Sequence, residues 1–438
     1  MTNDTIAAIC TPPGEGGLAV LRVSGPHAFS IANKIFTGNV FSYPSHTAHF
    51  GKITSKEGTI IDEVVLLVME EKKSYTGEST VEIMCHGSVL ITQKILARLF
   101  EEGAVAAGPG EFTARAYRNG LIDLTQAEAV QALIAAKNEA ALKAATNQLS
   151  GRLSTMIKDL QTAICDVTAI IEAWVDYPEE GLEFASKEDL MQILNDVIKK
   201  ATQLSLSFYD GKRATDGISL CLAGAPNAGK SSLMNLLLGT DRAIVTEVAG
   251  TTRDLLTEDV RIGGHTLRLY DTAGIRDTDE VIEKEGIKRA QAAAESADIV
   301  IEVYDITQPI KKLNYPNAIV CLNKVDLVDT PPNMDGILLS CKNKEGVEKL
   351  KDAIHQRILS FTTHADEEVI ITQERHFADL NEAISFLTLG LENLIHDVSP
   401  EFIALDLRGA LKSLSRIIGI DITEEILGSI FQKFCVGK

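Results

Sequence analysis

The chain has 438 residues, enough for two to four domains each with its own core. Hydrophobic residues make up 45% and charged residues 24%, an ordinary globular composition that excludes a fibrous or low-complexity chain. A net charge of −19 excludes nucleic-acid binding through a global basic field and leaves local patches or a partner for any RNA contact.

Residues 1–120 read as an α+β region. Residues 5–10 and 18–23 alternate like strands around the turn Thr11-Pro-Pro-Gly-Glu-Gly-Gly17. Residues 60–69 form another strand, and 89–102 carry helical spacing. The segment Tyr75-Thr-Gly-Glu78, followed by Glu82 and Gly87, puts polar groups beside glycines at a strand end. Two readings stand for it, a ligand site and a structural turn. Cys85 and His86 have no metal partners at useful spacing and read as structural.

Residues 121–211 turn helical. Thr125-x-x-Glu128 reads as a capping box that opens one long alanine-rich stretch. Its apolar stripe runs through Val130, Leu133 and Ile134, Ala141 and Leu142, Ala145, Leu149, Leu153 and Ile157. After the break at Tyr177-Pro-Glu-Glu-Gly181, Ser186 caps a second helix whose stripe is Leu190, Ile193 and Leu194, Val197 and Ile198, Ala201 and Leu204. Bundle packing is the reading for both.

A strand-length apolar run, 218–223, then leads into Gly224-Ala-Pro-Asn-Ala-Gly229-Lys230-Ser231, which fits G-x-x-x-x-G-K-[ST]. Helical spacing follows over 232–238. Strand, glycine-rich turn and helix are the context of a phosphate-binding loop. Its glycines let backbone N–H groups curl round phosphate oxygens, and the helix N-terminus adds partial positive charge. Lys230 suits the β- and γ-phosphates, and the Ser231 hydroxyl suits Mg²⁺. Downstream, the run 267–270 ends in Asp271-Thr-Ala-Gly274, where an acidic strand end can hold Mg²⁺ through water. The runs 299–304 and 318–322 follow, the second entering Asn323-Lys324-Val325-Asp326. A carboxylate accepts two hydrogen bonds from guanine N1 and its amine, so Asp326 is the base-specificity residue. Ser340-Cys341-Lys342 closes over the base. Four motifs in this order specify a GTPase domain.

Helical spacing returns from Phe377 through Leu394 and over 405–417, ending in 426–431 and the tail Phe434-Cys435-Val436-Gly437-Lys438. A GTPase domain between two helical blocks reads as an insertion into one bundle. The seven cysteines lie scattered, with no C-x-x-C pair, which argues against a zinc site or disulfide framework. No apolar run reaches transmembrane length and the N-terminus lacks a basic n-region, so the expected location is cytoplasmic, without membrane contact.

With these motifs the chain resembles the MnmE/TrmE family of tRNA modification GTPases over essentially its whole length. The resemblance rests on Asp4-Thr-Ile-Ala, Thr11-Pro-Pro-Gly, Leu21-Arg-Val-Ser-Gly25, Tyr75-Thr-Gly-Glu78, Pro109-Gly-Glu-Phe112, Asp123-Leu-Thr-Gln-Ala-Glu128, the GTPase motifs, Gly250-Thr-Thr-Arg-Asp254 and the terminal Phe-Cys-Val-Gly-Lys. It implies a multidomain α+β and α/β fold. A tetrahydrofolate-binding-like dimerisation domain spans 1–120, and a helical domain spans 121–213 and 363–438. A Ras-like P-loop GTPase domain with a mostly parallel sheet is inserted at 214–362. It also implies a homodimer and a heterotetramer with an FAD-dependent MnmG/GidA partner. The implied reaction builds a carboxymethylaminomethyl or aminomethyl group on the wobble uridine of certain tRNAs.

The resemblance carries over site residues too. GTP contacts fall at Asn227, Ala228, Gly229, Lys230, Ser231 and Ser232; at Thr246, Glu247, Val248, Ala249, Gly250, Thr251 and Thr252; at Asp271, Thr272, Ala273 and Gly274; and at Asn323, Lys324, Asp326, Ser340, Cys341 and Lys342. Ser231 and Thr252 hold Mg²⁺. K⁺ replaces an arginine finger, bound by Asn227, Thr246, Val248 and Thr251 when two GTPase domains meet. Ile275 stands where many small GTPases carry the water-orienting glutamine, and the family places that role at Glu283; composition alone does not choose it over Glu280 or Glu285. Arg253 receives no catalytic role. A folate, 5-formyl- or methylene-tetrahydrofolate, is expected at Arg22, Glu82 and Lys438. Leu121 stands where relatives often carry Lys or Arg, which weakens that expectation. The resemblance implies a mobile tail that brings Cys435 near the folate and the tRNA, and Cys435 has two readings, a thiolate nucleophile and a purely structural or tRNA-contacting residue. The alternative function from a different class is a GTP-switched ribosome-assembly or RNA-binding module. The N-terminal domain and cysteine tail favour the modification enzyme, since assembly GTPases carry neither.

Overall fold

A computed structural model describes residues 4–136, 138–177, 185–241, 257–263, 265–270, 294–295, 297–315, 318–330, 334–361 and 369–438. The chain divides into two compact units. One comprises Met1–Ala136, Ala145–Thr202 and Ala378–Lys438; the other comprises Lys137–Ala144 and Gln203–Phe377.

The first unit opens with a six-stranded sheet of β1 (Ile6–Ile9), β2 (Gly16–Ser24), β3 (Thr47–Thr54), β4 (Ile60–Met69), β5 (Thr80–Gly87) and β6 (Val105–Ala106). Its order is β3-β4-β5-β2-β1-β6, antiparallel except for the β1–β6 pair. Along β4, Val64, Leu66 and Val68 alternate inward, the period of a sheet with one covered face. The covering helices are α1 (Ala28–Ile35) and α2 (Val89–Glu101), whose Ile31, Ile35, Ile95 and Leu99 share a core with Leu21, Val23 and Ile83. Cys85 and His86 are structural, as expected. Cys85 is buried, and the Asp62 carboxylate accepts from the His86 N–H and pairs with its ring Nδ1, both at 2.8 Å.

Next comes α3 (Glu111–Arg118), and here the helical reading needs two corrections. The cap of α4 (Leu124–Ala135) is Asp123, not Thr125: its carboxylate accepts from the Gln126 N–H while the Gln126 side chain accepts from the Asp123 N–H. Thr125 is buried instead, its hydroxyl bonded to Asp123 and, at 2.7 Å, to Ser154. The expected single stripe is also broken, into α4, α5 (Glu139–Leu149) and α6 (Arg152–Asp176). Gly151 supplies the second break with φ 81, left-handed backbone that glycine adopts without strain. The buried face therefore shifts at each break, leaving Ile134 and Leu142 exposed. Ser186 does cap α7 (Lys187–Asp216): its hydroxyl accepts from the Asp189 N–H at 3.1 Å.

The second unit holds β7 (Ile218–Ala223), α8 (Lys230–Asp241), β8 (Thr257–Ile262), β9 (His265–Tyr270), β10 (Ile299–Asp305), β11 (Ile319–Asn323), β12 (Ile337–Leu339) and α9 (Val347–Phe361). The sheet order is β12-β11-β10-β7-β9-β8, and every pair is parallel except β8 with β9. β7 lies between β9 and β10, so the winding reverses there and a crevice opens at the strands' carboxyl ends. The chain then returns to the first unit through α10 (Glu374–Ile395), which runs across the division, α11 (Pro400–Ile418) and α12 (Glu424–Phe431).

Entry and exit of the second unit are fastened together. A Cβ on Gly211 would lie 2.0 Å from the Ile371 carbonyl oxygen, so the backbones approach as only glycine permits. Phe208 stacks on Phe377 with centroids 4.6 Å apart, and the Ile371 N–H donates to the Ser207 hydroxyl at 3.1 Å.

Candidate functional site

The phosphate loop sits at the carboxyl end of β7, beside β10. A Cβ on Gly224 would meet the Val303 carbonyl oxygen at 2.3 Å, and one on Gly229 (φ 103) would meet Asn323 Nδ2 at 2.1 Å. Both glycines of the motif are therefore demanded by close packing. Asn227 has φ 61, a left-handed position that asparagine tolerates better than most side chains. Lys230 folds back over the loop, its Nζ donating to the carbonyls of Gly224 (2.8 Å) and Ala225 (2.9 Å). Ser231 and Ser232 are exposed in the first turn of α8, and Ala228 is buried beneath it.

Asn323, itself buried, joins the phosphate loop to the base loop. Its Nδ2 donates to the Ala228 carbonyl at 2.9 Å, and its Oδ1 accepts from the Cys341 N–H at 3.3 Å. Asp326 is oriented by the Ser340 hydroxyl, which donates to Oδ1 at 2.6 Å. Lys324 takes left-handed backbone (φ 70), and its Nζ reaches Asp305 Oδ2 at 2.6 Å. Burial raises the Asp305 pKa, but hydrogen bonds from Lys324 and Thr307 outweigh it and leave the carboxyl below its ordinary value. Burial pushes the Cys341 thiol up. Lys342 is exposed.

The structure thus brings Asn227 to Ser232 together with Asn323, Lys324, Asp326, Ser340 and Cys341 at the carboxyl ends of the strands. Thr246, Glu247, Val248, Ala249, Gly250, Thr251, Thr252, Asp271, Thr272, Ala273, Gly274 and Glu283 lie outside the described residues. Asp305 escaped the motif reading. Its signal is an acidic residue directly after the apolar run of β10.

A second constellation lies in the N-terminal sheet. Arg22 and Glu82 oppose each other in the β2–β5 register, with Arg22 Nε and Nη2 at 2.9 and 2.8 Å from Glu82 Oε1. The Arg22 guanidinium lies 5.4 Å from the ring centroids of both Tyr75 and Phe112. Tyr75 and Phe112 were read only as parts of their motifs, and nothing in the sequence joined them to Arg22. Only the fold brings these two rings to Arg22. Leu121 packs instead on the Tyr75-Thr-Gly-Glu78 turn, its Cδ1 lying 3.1 Å from where a Gly77 Cβ would stand.

The polar groups of that turn point inward. Ser24 Oγ reaches Thr76 Oγ1 at 2.7 Å and donates to Glu78 Oε2 at 2.8 Å. Arg115, buried, donates to Glu78, Asp4 and Glu111. Three carboxylates around one guanidinium hold the turn and α3 in place, which is the structural-turn geometry. Among the described residues no group of three or more His, Cys, Asp or Glu could hold a metal ion. No described helix is long and apolar enough to cross a membrane.

Comparison with known proteins covers both units. Residues 5–121 match the family description "GTP-binding protein TrmE N-terminus", and residues 124–435 match "MnmE helical domain". The "tRNA modification GTPase MnmE" of Protochlamydia amoebophila is 49% identical over 450 residues, covering 100% of this chain and 98% of that protein. The protein of the same name from Chlamydia trachomatis serovar L2 is 42% identical over 446 residues, with 100% of both chains covered. That from Chlamydia felis is 43% identical over 444 residues, covering 100% and 99%. The chain belongs to the MnmE family of tRNA modification GTPases.

Proposed function

We propose that this chain hydrolyses GTP and uses the cycle to modify the wobble uridine of certain tRNAs. The proposed product carries a carboxymethylaminomethyl or aminomethyl group at C5, made with an FAD-dependent MnmG/GidA partner. The observation that carries the nucleotide reading is Asn323, which ties the phosphate loop to the loop bearing Asp326 through Ala228 and Cys341. One strut thereby fixes the distance between the phosphate cradle and the base reader. An oriented carboxylate selects guanine, since adenine lacks the paired donors that Asp326 requires.

The residues fit their proposed ions. The exposed Ser231 hydroxyl in the first turn of α8 suits Mg²⁺ together with Thr252, and the exposed, left-handed Asn227 offers a side-chain oxygen at the loop rim for K⁺. Thr246, Val248 and Thr251 complete the proposed K⁺ set. Bound there, the two cations would neutralise charge building on the phosphate oxygens. Lys230 orients the β- and γ-phosphates, and Glu283 positions the attacking water. In the N-terminal sheet, Arg22 and Glu82 form the proposed folate site, with Lys438 beside it. A cation suits the glutamate of folate, and a carboxylate suits the amine edge of its pterin. Cys435 is the proposed nucleophile of the tail. The chain acts as a homodimer in this reading, the GTPase domains pairing during hydrolysis.

The test is GTP turnover by the full chain in K⁺ and in Na⁺ at equal ionic strength. Turnover is expected to be at least tenfold faster in K⁺, and Glu283→Ala is expected to abolish it while GTP binding persists. Equal rates in the two salts remove K⁺ from the mechanism. Full wobble-uridine modification in cells lacking the protein removes the tRNA role.

A further inference from the structure

The turn that carries Asp326 has no core of its own. It is the single turn Val325–Leu327, in which no residue is buried, and Leu327 is 60% exposed. Its placement is therefore set by the groups that hold it from outside. Ser340 fixes the Asp326 carboxylate, and Asn323 ties the end of β11 to the phosphate loop. Between Asn323 and the turn stands Lys324, where the chain leaves β11 with φ 70 and whose carbonyl accepts from the Leu327 N–H at 3.0 Å. Left-handed backbone is sparsely populated for a residue with a Cβ and persists only where its surroundings hold it.

That hold comes from β10. Asp305 ends the strand in register with Asn323, and the Ile306 N–H donates to the Asn323 carbonyl at 3.2 Å. The Asp305 carboxylate is divided between two tasks. Oδ1 accepts from the Thr307 N–H at 2.9 Å and from its hydroxyl at 2.6 Å, which fixes the plane of the group. Oδ2 accepts from Lys324 Nζ at 2.6 Å. Side-chain exposure is 14% for Asp305 and 31% for Lys324, so water screens this pair less than an ion pair on the open surface. We propose that Asp305 is a positioning residue of the guanine site: through Lys324 it holds the left-handed corner from which the Asp326 turn departs, and so sets how sharply guanine is chosen over a base that lacks its amine. This rests on the base-reading role of Asp326 proposed above.

Fluorescent-nucleotide displacement on the full chain, with GTP and inosine triphosphate as competitors, tests it. Inosine lacks the guanine amine and leaves Asp326 with one donor instead of two. Loss of a hydrogen bond to a charged group lowers affinity about tenfold or more, and the unaltered chain is expected to prefer GTP by that factor. Asp305→Asn keeps the shape of the side chain and removes the charge facing Lys324; Asp305→Ala removes every bond. In both the preference is expected to fall about threefold or more. The preference is a ratio read on one folded population, so partial unfolding does not alter it. A smaller fall in both variants overturns the proposal, even where both affinities have dropped together. In a Lys324→Gln background Asp305→Ala is expected to change the preference no further. A further threefold fall there overturns the proposal, because Asp305 then acts by another route. Asp326→Ala checks the underlying reading and is expected to erase the preference. If it does while the Asp305 variants keep theirs, only the role of Asp305 falls. If Asp326→Ala leaves the preference intact, the base reading falls and the proposal with it.

Discussion

At Asp326 the side chain's hydrogen-bonding polarity decides which nucleotide is accepted. Ser340 occupies one carboxylate oxygen at 2.6 Å, which fixes the plane of the group. Asp326→Asn replaces an acceptor by a donor and leaves the guanine amine facing another amine. Hydrogen bonds to a charged group contribute about 1.5–3 kcal/mol each, so GTP affinity is expected to fall roughly 100-fold or more. Xanthine, with a carbonyl at that position, is expected to regain binding. Competition titrations with GTP and XTP check the exchange, and equal losses for both would make the change merely structural.

The Lys324–Asp305 pair carries a pH dependence whose sign follows from its shift. Asp305 sits below its ordinary value of 3.8 in the folded chain. Its contribution to stability is thus complete above that value and disappears as the pH falls through the depressed one. The urea midpoint of Asp305→Asn is therefore expected to lie below that of the unaltered chain at pH 7, with the gap narrowing as the pH falls below 3.8. These residues differ in legibility. Asp326 announces itself through motif order, whereas Arg115 is one arginine among many until the fold sets Asp4, Glu78 and Glu111 around it.

Strands were readable because their apolar runs match their burial: 218–223 and 60–69 coincide with β7 and β4. The alanine-rich helices were harder. Alanine is neutral toward either side of a helix, so the stripe continued on paper across the breaks between α4, α5 and α6, the second of them set by Gly151. The cap also moved, because Asp123 and Gln126 satisfy the same reciprocal geometry as the Thr125 and Glu128 pattern two residues later. Gly211 within α7 tests element against element. Glycine to alanine in a helix interior favours the helix by about 1 kcal/mol. Against this stands backbone oxygen 2.0 Å from the new methyl, a contact that nothing flexible can yield. Overpacking of this kind costs about 1–3 kcal/mol or more, so the clash wins. Gly211→Ala is expected to lower the thermal midpoint, where helix propensity alone would raise it. A raised midpoint would mean that the crossing relaxes freely.

For the whole molecule, the mostly parallel sheet was implied by the family resemblance, and the motifs at the ends of β7 and β11 agree with it. The return of the C-terminal segment to the N-terminal sheet was not visible in any periodicity. It depends on Gly110 and Gly437 tolerating contacts that no local pattern encodes. The fastening of Gly211 to Ile371 has a mechanical consequence. Tension applied to the two helices that flank it, α7 and α10, would pass across that junction and bypass the nucleotide-binding sheet. A molecule tethered at those two helices and pulled in an optical trap should therefore keep its GTPase fold unloaded until the junction parts.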